Sequence, residues 1–105
     1  MKLVMSTAPE GEAQGIAEAL LSERLVACVN FIAGVKSRYW WKGALEEAAE
    51  TFMLMKTTPE LADRAAARLV ELHSYDVPEA VVVDIEGGNP AYLKWIADVT
   101  GTVDR

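Results

Sequence analysis

Two runs of strand-forming residues flank one tight turn, and their length dominates what this chain can become. Residues 26–41 are largely apolar, aromatic and β-branched. After Lys42-Gly43 the chain returns through residues 45–56, with 51–56 the clearest part of the returning strand. Typical strands are about 5–6 residues, roughly 17–20 Å. Residues 26–41 drawn out at about 3.3 Å per residue reach roughly 50 Å. Gly34 interrupts the first run and predicts a bulge or bend there. The two arms read as one long hairpin.

Shorter elements surround it. Residues 2–6 read as a strand that ends at the turn-prone Thr7-Ala8-Pro9. Ala13, Ile16, Ala17, Leu20 and Leu21 then recur at helical spacing in a helix opening near Glu10. Acids in its first turn suit the helix dipole. Thr58-Pro59-Glu60 is a helix start: a capping hydroxyl, proline at the first helical position, then an acid. Leu61, Ala65, Leu69 and Leu72 carry that helix, which stops before Pro78. Residues 80–85 form a β-branched strand broken by Gly87-Gly88, and Asn89-Pro90 opens a last helix through Val99, with Gly101 as its C-terminal stop.

The order is β-α-β-β-α-β plus a C-terminal helix. Two βαβ crossovers joined by a hairpin predict a ferredoxin-like α+β fold: one antiparallel sheet, two helices on one face, and the extra helix. Two helices cover only part of so long a hairpin. Its tip, with Tyr39, Trp40 and Trp41, is left in water with an open edge. Large aromatics on an open edge invite pairing with another chain. These three residues are therefore the expected self-association surface.

The chain has 105 residues, room for one domain over 1–105 and one core. Ten Lys plus Arg against sixteen Asp plus Glu give a net charge of −6, the wrong sign for nucleic acid. The single cysteine, Cys28, rules out an intrachain disulfide and suits a reducing cytosol. The first residues are too short an apolar run for a signal peptide, and nothing approaches a membrane span. A cytoplasmic protein without membrane contact is expected.

Chemistry-bearing motifs are sparse. One Cys and one His, with no C-x-x-C or H-E-x-x-H, do not make a transition-metal site by composition. Cys28 lies between Ala27 and Val29 and reads first as a buried small hydrophobe. His73 at the end of the second helix can bond the last carbonyls, or can serve a site formed with neighbours. No nucleophile elbow, P-loop or dinucleotide fingerprint appears, so an enzyme is not expected.

Several segments, in order and spacing, point further. These are Thr7-Ala8-Pro9, Glu23-Arg24-Leu25-Val26-Ala27-Cys28-Val29-Asn30, Tyr39-x-Trp41-x-Gly43 and Lys56-Thr57-Thr58. His73-x-Tyr75-x-x-Pro78-Glu79 and Gly88-Asn89-Pro90-x-Tyr92-Leu93-x-Trp95 complete the set. With them the sequence resembles the CutA divalent-cation tolerance family over nearly its full length. The resemblance implies a cytoplasmic homotrimer held by the hairpins, with a role in tolerance of, or response to, divalent metals such as copper. It also implies likeness to PII-type signalling trimers, which bind ligands in clefts between subunits.

Carried over residue by residue, the resemblance sets the copper ligands of some bacterial members at Ser6, Leu72 and His73. Ser6 and Leu72 replace a cysteine and a histidine, so His73 alone is kept as a metal candidate. The family usually has proline where this chain has Ser74. The implied inter-subunit pocket is Cys28, Asn30, Lys56, His73, Tyr75 and Glu79, facing a neighbour's Tyr39 and Trp41. Such a set suits a divalent metal or a small anion, or serves only to hold the trimer. No cofactor is indicated beyond copper or another divalent cation. The competing function is a PII-like scaffold regulated by a small molecule or partner, without a transition metal.

Overall fold

A computed structural model describes residues 1–101. Its elements are β1 (Lys2–Pro9), α1 (Glu10–Ser22), β2 (Cys28–Trp41), β3 (Ala44–Thr57), α2 (Pro59–Leu72), β4 (Val81–Asp84) and α3 (Pro90–Val99). The four strands form one antiparallel sheet in the order β2-β3-β1-β4, the ferredoxin-like arrangement. β1 runs three residues past the expected end, because β3 continues alongside it until Pro9 meets Glu50. The fourth strand is shorter than expected, four residues paired to the start of β1.

The hairpin is built as its residues demand. Lys42 and Gly43 take φ of 50° and 81° between the paired Trp41 and Ala44, a two-residue turn that matches strand twist. Ile32 pairs with Phe52 and Val35 with Glu50, so β2 holds one extra residue there, and Gly34 supplies φ 72°. The expected bulge is present. It also marks a boundary. From Ala44 to Ala49 β3 is almost wholly exposed; Glu50 is buried, and from Thr51 onward alternate residues are buried.

On one face of the sheet α1 and α2 cover Val4, Ala8, Met53 and Met55, closing a core with Ile16, Leu20 and Leu69. Burying each such aliphatic side chain stabilises by about 1.5–3 kcal/mol. Beyond the end of α1, Arg24 is a non-glycine residue at φ 60°, with Leu25 N–H donating to the Leu20 carbonyl. That turn also anchors the end of α3. The Arg24 carbonyl accepts from Gly101 N–H at 2.8 Å, and its guanidinium donates to the Val99 carbonyl at 3.1 Å. The cap of α3 is Thr100, extended and with its hydroxyl donating to the Ile96 carbonyl, rather than the expected Gly101, which follows it at φ 81°.

α3 lies against the other face. Lys56 sits between the core residues Met55 and Thr57, so Lys56 and its cross-strand partner Cys28 point away from α1 and α2. Tyr92 of α3 meets Cys28 there. Among the described residues no helix is long and apolar enough to cross a membrane.

Candidate functional site

α2 stops at Leu72, and the chain turns back over β1 through residues 73–79. His73 fixes that turn. It is 7% exposed, and its Nε2 donates to the Thr7 carbonyl at 2.8 Å while Nδ1 accepts from Tyr75 N–H at 3.1 Å. These two bonds define one neutral tautomer and occupy both ring nitrogens. A metal would have to displace a backbone partner to reach either. Ser74 donates to Glu12 Oε2 at 2.8 Å and ties the loop to α1.

Held in this way, Tyr75 packs its ring at 4.6 Å from the His73 ring and donates its hydroxyl to Glu50 Oε2 at 2.9 Å. Glu50 is only 4% exposed. The bulge at Gly34 places it where β3 passes from the open arm into the covered sheet. Burial first, then the hydrogen bond to Glu50 and that carboxylate's charge, push the Tyr75 phenol up to about 12. Glu79, exposed to solvent beside them, has its carboxyl raised by partial desolvation and then by Glu50.

These groups line a cleft of about 880 Å³ between the 74–79 loop and the underside of the hairpin arm. Tyr39 and Trp41 enter from one face of β2, with Arg38 and Trp40 from the alternate face. The lining holds three carboxylates, Glu50, Asp76 and Glu79, against one guanidinium, Arg38. Arg38 is drawn toward Glu47 at 3.7 Å. Lys42 stands 5.8 Å above the Trp41 ring.

The six residues expected to share a pocket fall into two groups in one protomer. His73, Tyr75 and Glu79 gather at or behind this cleft. Cys28, Asn30 and Lys56 lie at the far end of β3, roughly 20 Å along the strand from Glu50 at about 3.4 Å per residue. There Lys56 Nζ donates to Asn30 Oδ1, and Cys28 Sγ lies 3.6 Å from the Tyr92 hydroxyl. The thiol contact, then burial, raises the Tyr92 phenol above its ordinary value. Cys28 is half-buried rather than enclosed.

Two features of the cleft are missing from the sequence reading. Glu50 stands in line with Glu46 and Glu47 as part of an acidic stretch; only the bulge opposite it separates a buried acid from two solvated ones. The Thr7 carbonyl is a backbone group that no side-chain motif reports. Ser6 is fully buried beside it, its hydroxyl turned to that carbonyl at 3.3 Å. Among the described residues no three His, Cys, Asp or Glu side chains converge as a metal site.

Comparison with known proteins gives one consistent result. Residues 2–99 match the family model described as CutA1 divalent ion tolerance protein. A divalent-cation tolerance protein CutA of Thermus thermophilus is 43% identical over 95% of this chain and 98% of its own length. The chloroplastic protein CutA 1 of rice is 39% identical over 93% of this chain, which spans 56% of the rice protein. The crystal structure of CutA from Xylella fastidiosa superposes with a TM-score of 0.92 at 39% identity, covering 95% of this chain and 97% of that one. The PII-like protein CutA from Nostoc, in apo form, gives 0.91 at 33% identity, covering 96% and 98%.

Proposed function

The chain belongs to the CutA1 divalent ion tolerance family, and we propose that it acts as a cytoplasmic homotrimer serving tolerance of, or response to, divalent metal ions. On this reading it binds or senses a cation at the cleft beside Tyr75 and is not an enzyme. The observation that carries the proposal is a cleft lining of three carboxylates, Glu50 and Glu79 among them, against one guanidinium, Arg38, which is drawn toward Glu47. Oxygen donors of this kind suit hard or borderline cations that keep most of their water. They do not suit copper through thiolate and imidazole. His73, both nitrogens occupied, supports the cleft from behind.

Assembly is proposed on the same footing. β2 and β4 are both open edges, and they carry Phe31, Ile32 and Val81 to Val83 exposed. Joining two different edges of successive copies is a heterologous contact, which closes into a ring when the rotation allows. Trp40, at 71% exposure, extends the same surface along the arm. Light scattering should report three copies; a stable monomer would overturn this part.

Calorimetric titration of metal-free protein with Cu(II), Zn(II) and Mg(II) tests the site. Glu79→Gln should weaken whichever ion binds, while His73→Ala should lower stability more than affinity. Identical heats in the parent and Glu79→Gln would remove metal from this cleft. A second reading, a PII-like carrier of a small molecule, is favoured by the aromatic walls that a bare ion does not need.

A further inference from the structure

We infer that Ser74 and Glu12 couple the 73–79 loop to the first turns of α1, so that the two open and close together. Whatever engages Tyr75 and Glu79 then also tightens the start of α1, and a tightened α1 steadies the loop. This goes beyond the cation reading. It holds whether an ion, an organic molecule or a neighbouring copy meets the loop.

Three consecutive side chains moor the loop to one joint of the fold. His73 Nε2 donates to the Thr7 carbonyl at 2.8 Å, and the Tyr75 hydroxyl donates to Glu50 Oε2 at 2.9 Å. Thr7 lies in β1, and Glu50 is the cross-strand partner of Pro9, the last residue of β1. These two bonds tie the loop to the sheet side of the β1–α1 joint. Between them Ser74 donates to Glu12 Oε2 at 2.8 Å and ties it to the helix side. A hydroxyl given to a carboxylate is among the stronger hydrogen bonds.

The sheet side is rigid, and the helix side is soft by composition. Pro9 stands at the N-cap of α1 and lacks the side-chain oxygen that accepts an N–H from the first turn. Among residues 10–15 only Ala13 is buried, and it brings a single methyl group. Gly11 and Gly15 are exposed, and a Cβ added at either meets nothing within 4 Å. No close approach calls for glycine there, yet glycine weakens a helix relative to alanine. The second half differs: Ile16, Ala17 and Leu20 all lie in the core. Local opening draws on stretches with few buried apolar contacts, so α1 divides near Gly15 into a yielding start and an anchored remainder. Glu12 belongs to the yielding part. A bond between two segments that open makes each stabilise the other by the same amount.

The test is amide hydrogen exchange, read from the backbone N–H signals of isotopically labelled protein and corrected for intrinsic rates. It compares the parent, Gly15→Ala, Ser74→Ala and the double variant. Gln14 reports the start of α1, Tyr75 reports the loop, and Met55, fully buried in the central strand β3, reports global unfolding. In the parent Gln14 and Tyr75 should both exchange faster than Met55. Gly15→Ala should slow Gln14 about fivefold, the difference between glycine and alanine inside a helix. Tyr75 should slow with it by at least about twofold, the share one hydrogen bond can carry. In the double variant the slowing should remain at Gln14 and vanish at Tyr75. Should Ser74→Ala fold poorly, Glu12→Ala removes the same bond from the other side. Tyr75 unmoved by Gly15→Ala, Tyr75 still slowed in the double variant, or Tyr75 as slow as Met55 in the parent each overturns the coupling. An unchanged Gln14 in Gly15→Ala overturns the soft start on which it depends. The calorimetric test of the cation site is independent of all these outcomes.

Discussion

The two ends of the β2–β3 hairpin are one continuous piece of sheet under opposite conditions. At the root, Met53, Met55 and Thr57 are fully enclosed by α1, α2 and β1, and Val29 packs against the same core. At the tip, from Val35 to Ala49, hydrogen bonding is just as regular, but among the described residues neither helix of the core covers the arm, and only the 74–79 loop faces it across the cleft. Backbone pairing alone does not make a hairpin stable in water. The root is therefore completed within one chain, and the arm depends on what meets it from outside. Glu50 stands at the junction, buried with the Tyr75 hydroxyl as its hydrogen-bond donor.

The largest effect that separates the two ends is a matched pair of substitutions. Leu69→Ala empties a fully buried site under the root and should cost about 2–5 kcal/mol in denaturant unfolding. Trp40→Glu removes an aromatic that makes no core contact, so a protomer's own fold should survive it. Its effect should appear as loss of the trimer in light scattering. If Trp40→Glu leaves assembly intact while lowering stability as much as Leu69→Ala, the contrast between the ends fails.

The same division explains what the sequence discloses. Period-2 and period-3.6 patterns report on faces that the chain buries itself, so β1, α1, α2 and the root of β3 are legible. So are Lys42-Gly43 and Gly34, since each meets a backbone demand that few residues satisfy. The cleft is harder to read. Its essential contacts join Thr7, Glu50, His73 and Tyr75, brought together by a strand register that depends on one extra residue in β2. His73 reads as a helix cap or a ligand, yet its partners are the Thr7 carbonyl and the Tyr75 N–H. Within one protomer Cys28, Asn30 and Lys56 lie at the other end of β3 from the cleft that Tyr75 and Glu79 line.

A smaller change tests whether the bulge sets the junction. Gly34 adopts φ 72°, and an added Cβ would meet nothing within 4 Å, so Gly34→Ala carries backbone strain without a clash. It should destabilise by about 1–2 kcal/mol. It should also disturb the register that buries Glu50, so the Tyr75 and Trp41 signals should move more than those of Val29 and Met55. Equal shifts along the whole hairpin would mean that the root and the arm are not separable at Gly34.

The smallest expected effect lies in the Tyr75–Glu50 contact itself. The Tyr75 phenol is raised from its ordinary 10.0 to about 12, chiefly by burial and then by Glu50. Below about pH 10 the phenol is protonated in both folded and unfolded chains, and its contribution is fully present. Above that, the unfolded chain releases the proton while the folded one holds it, so stability falls as pH rises toward 12. Tyr75→Phe removes this titration. Its unfolding free energy should be lower than the parent's by about 1 kcal/mol at neutral pH, the worth of one hydrogen bond. Between pH 10 and 12 the variant's curve should be flatter, and the gap should narrow. A constant gap across that range would show that Glu50 is not held by Tyr75, and the buried acid at the junction would then need another explanation.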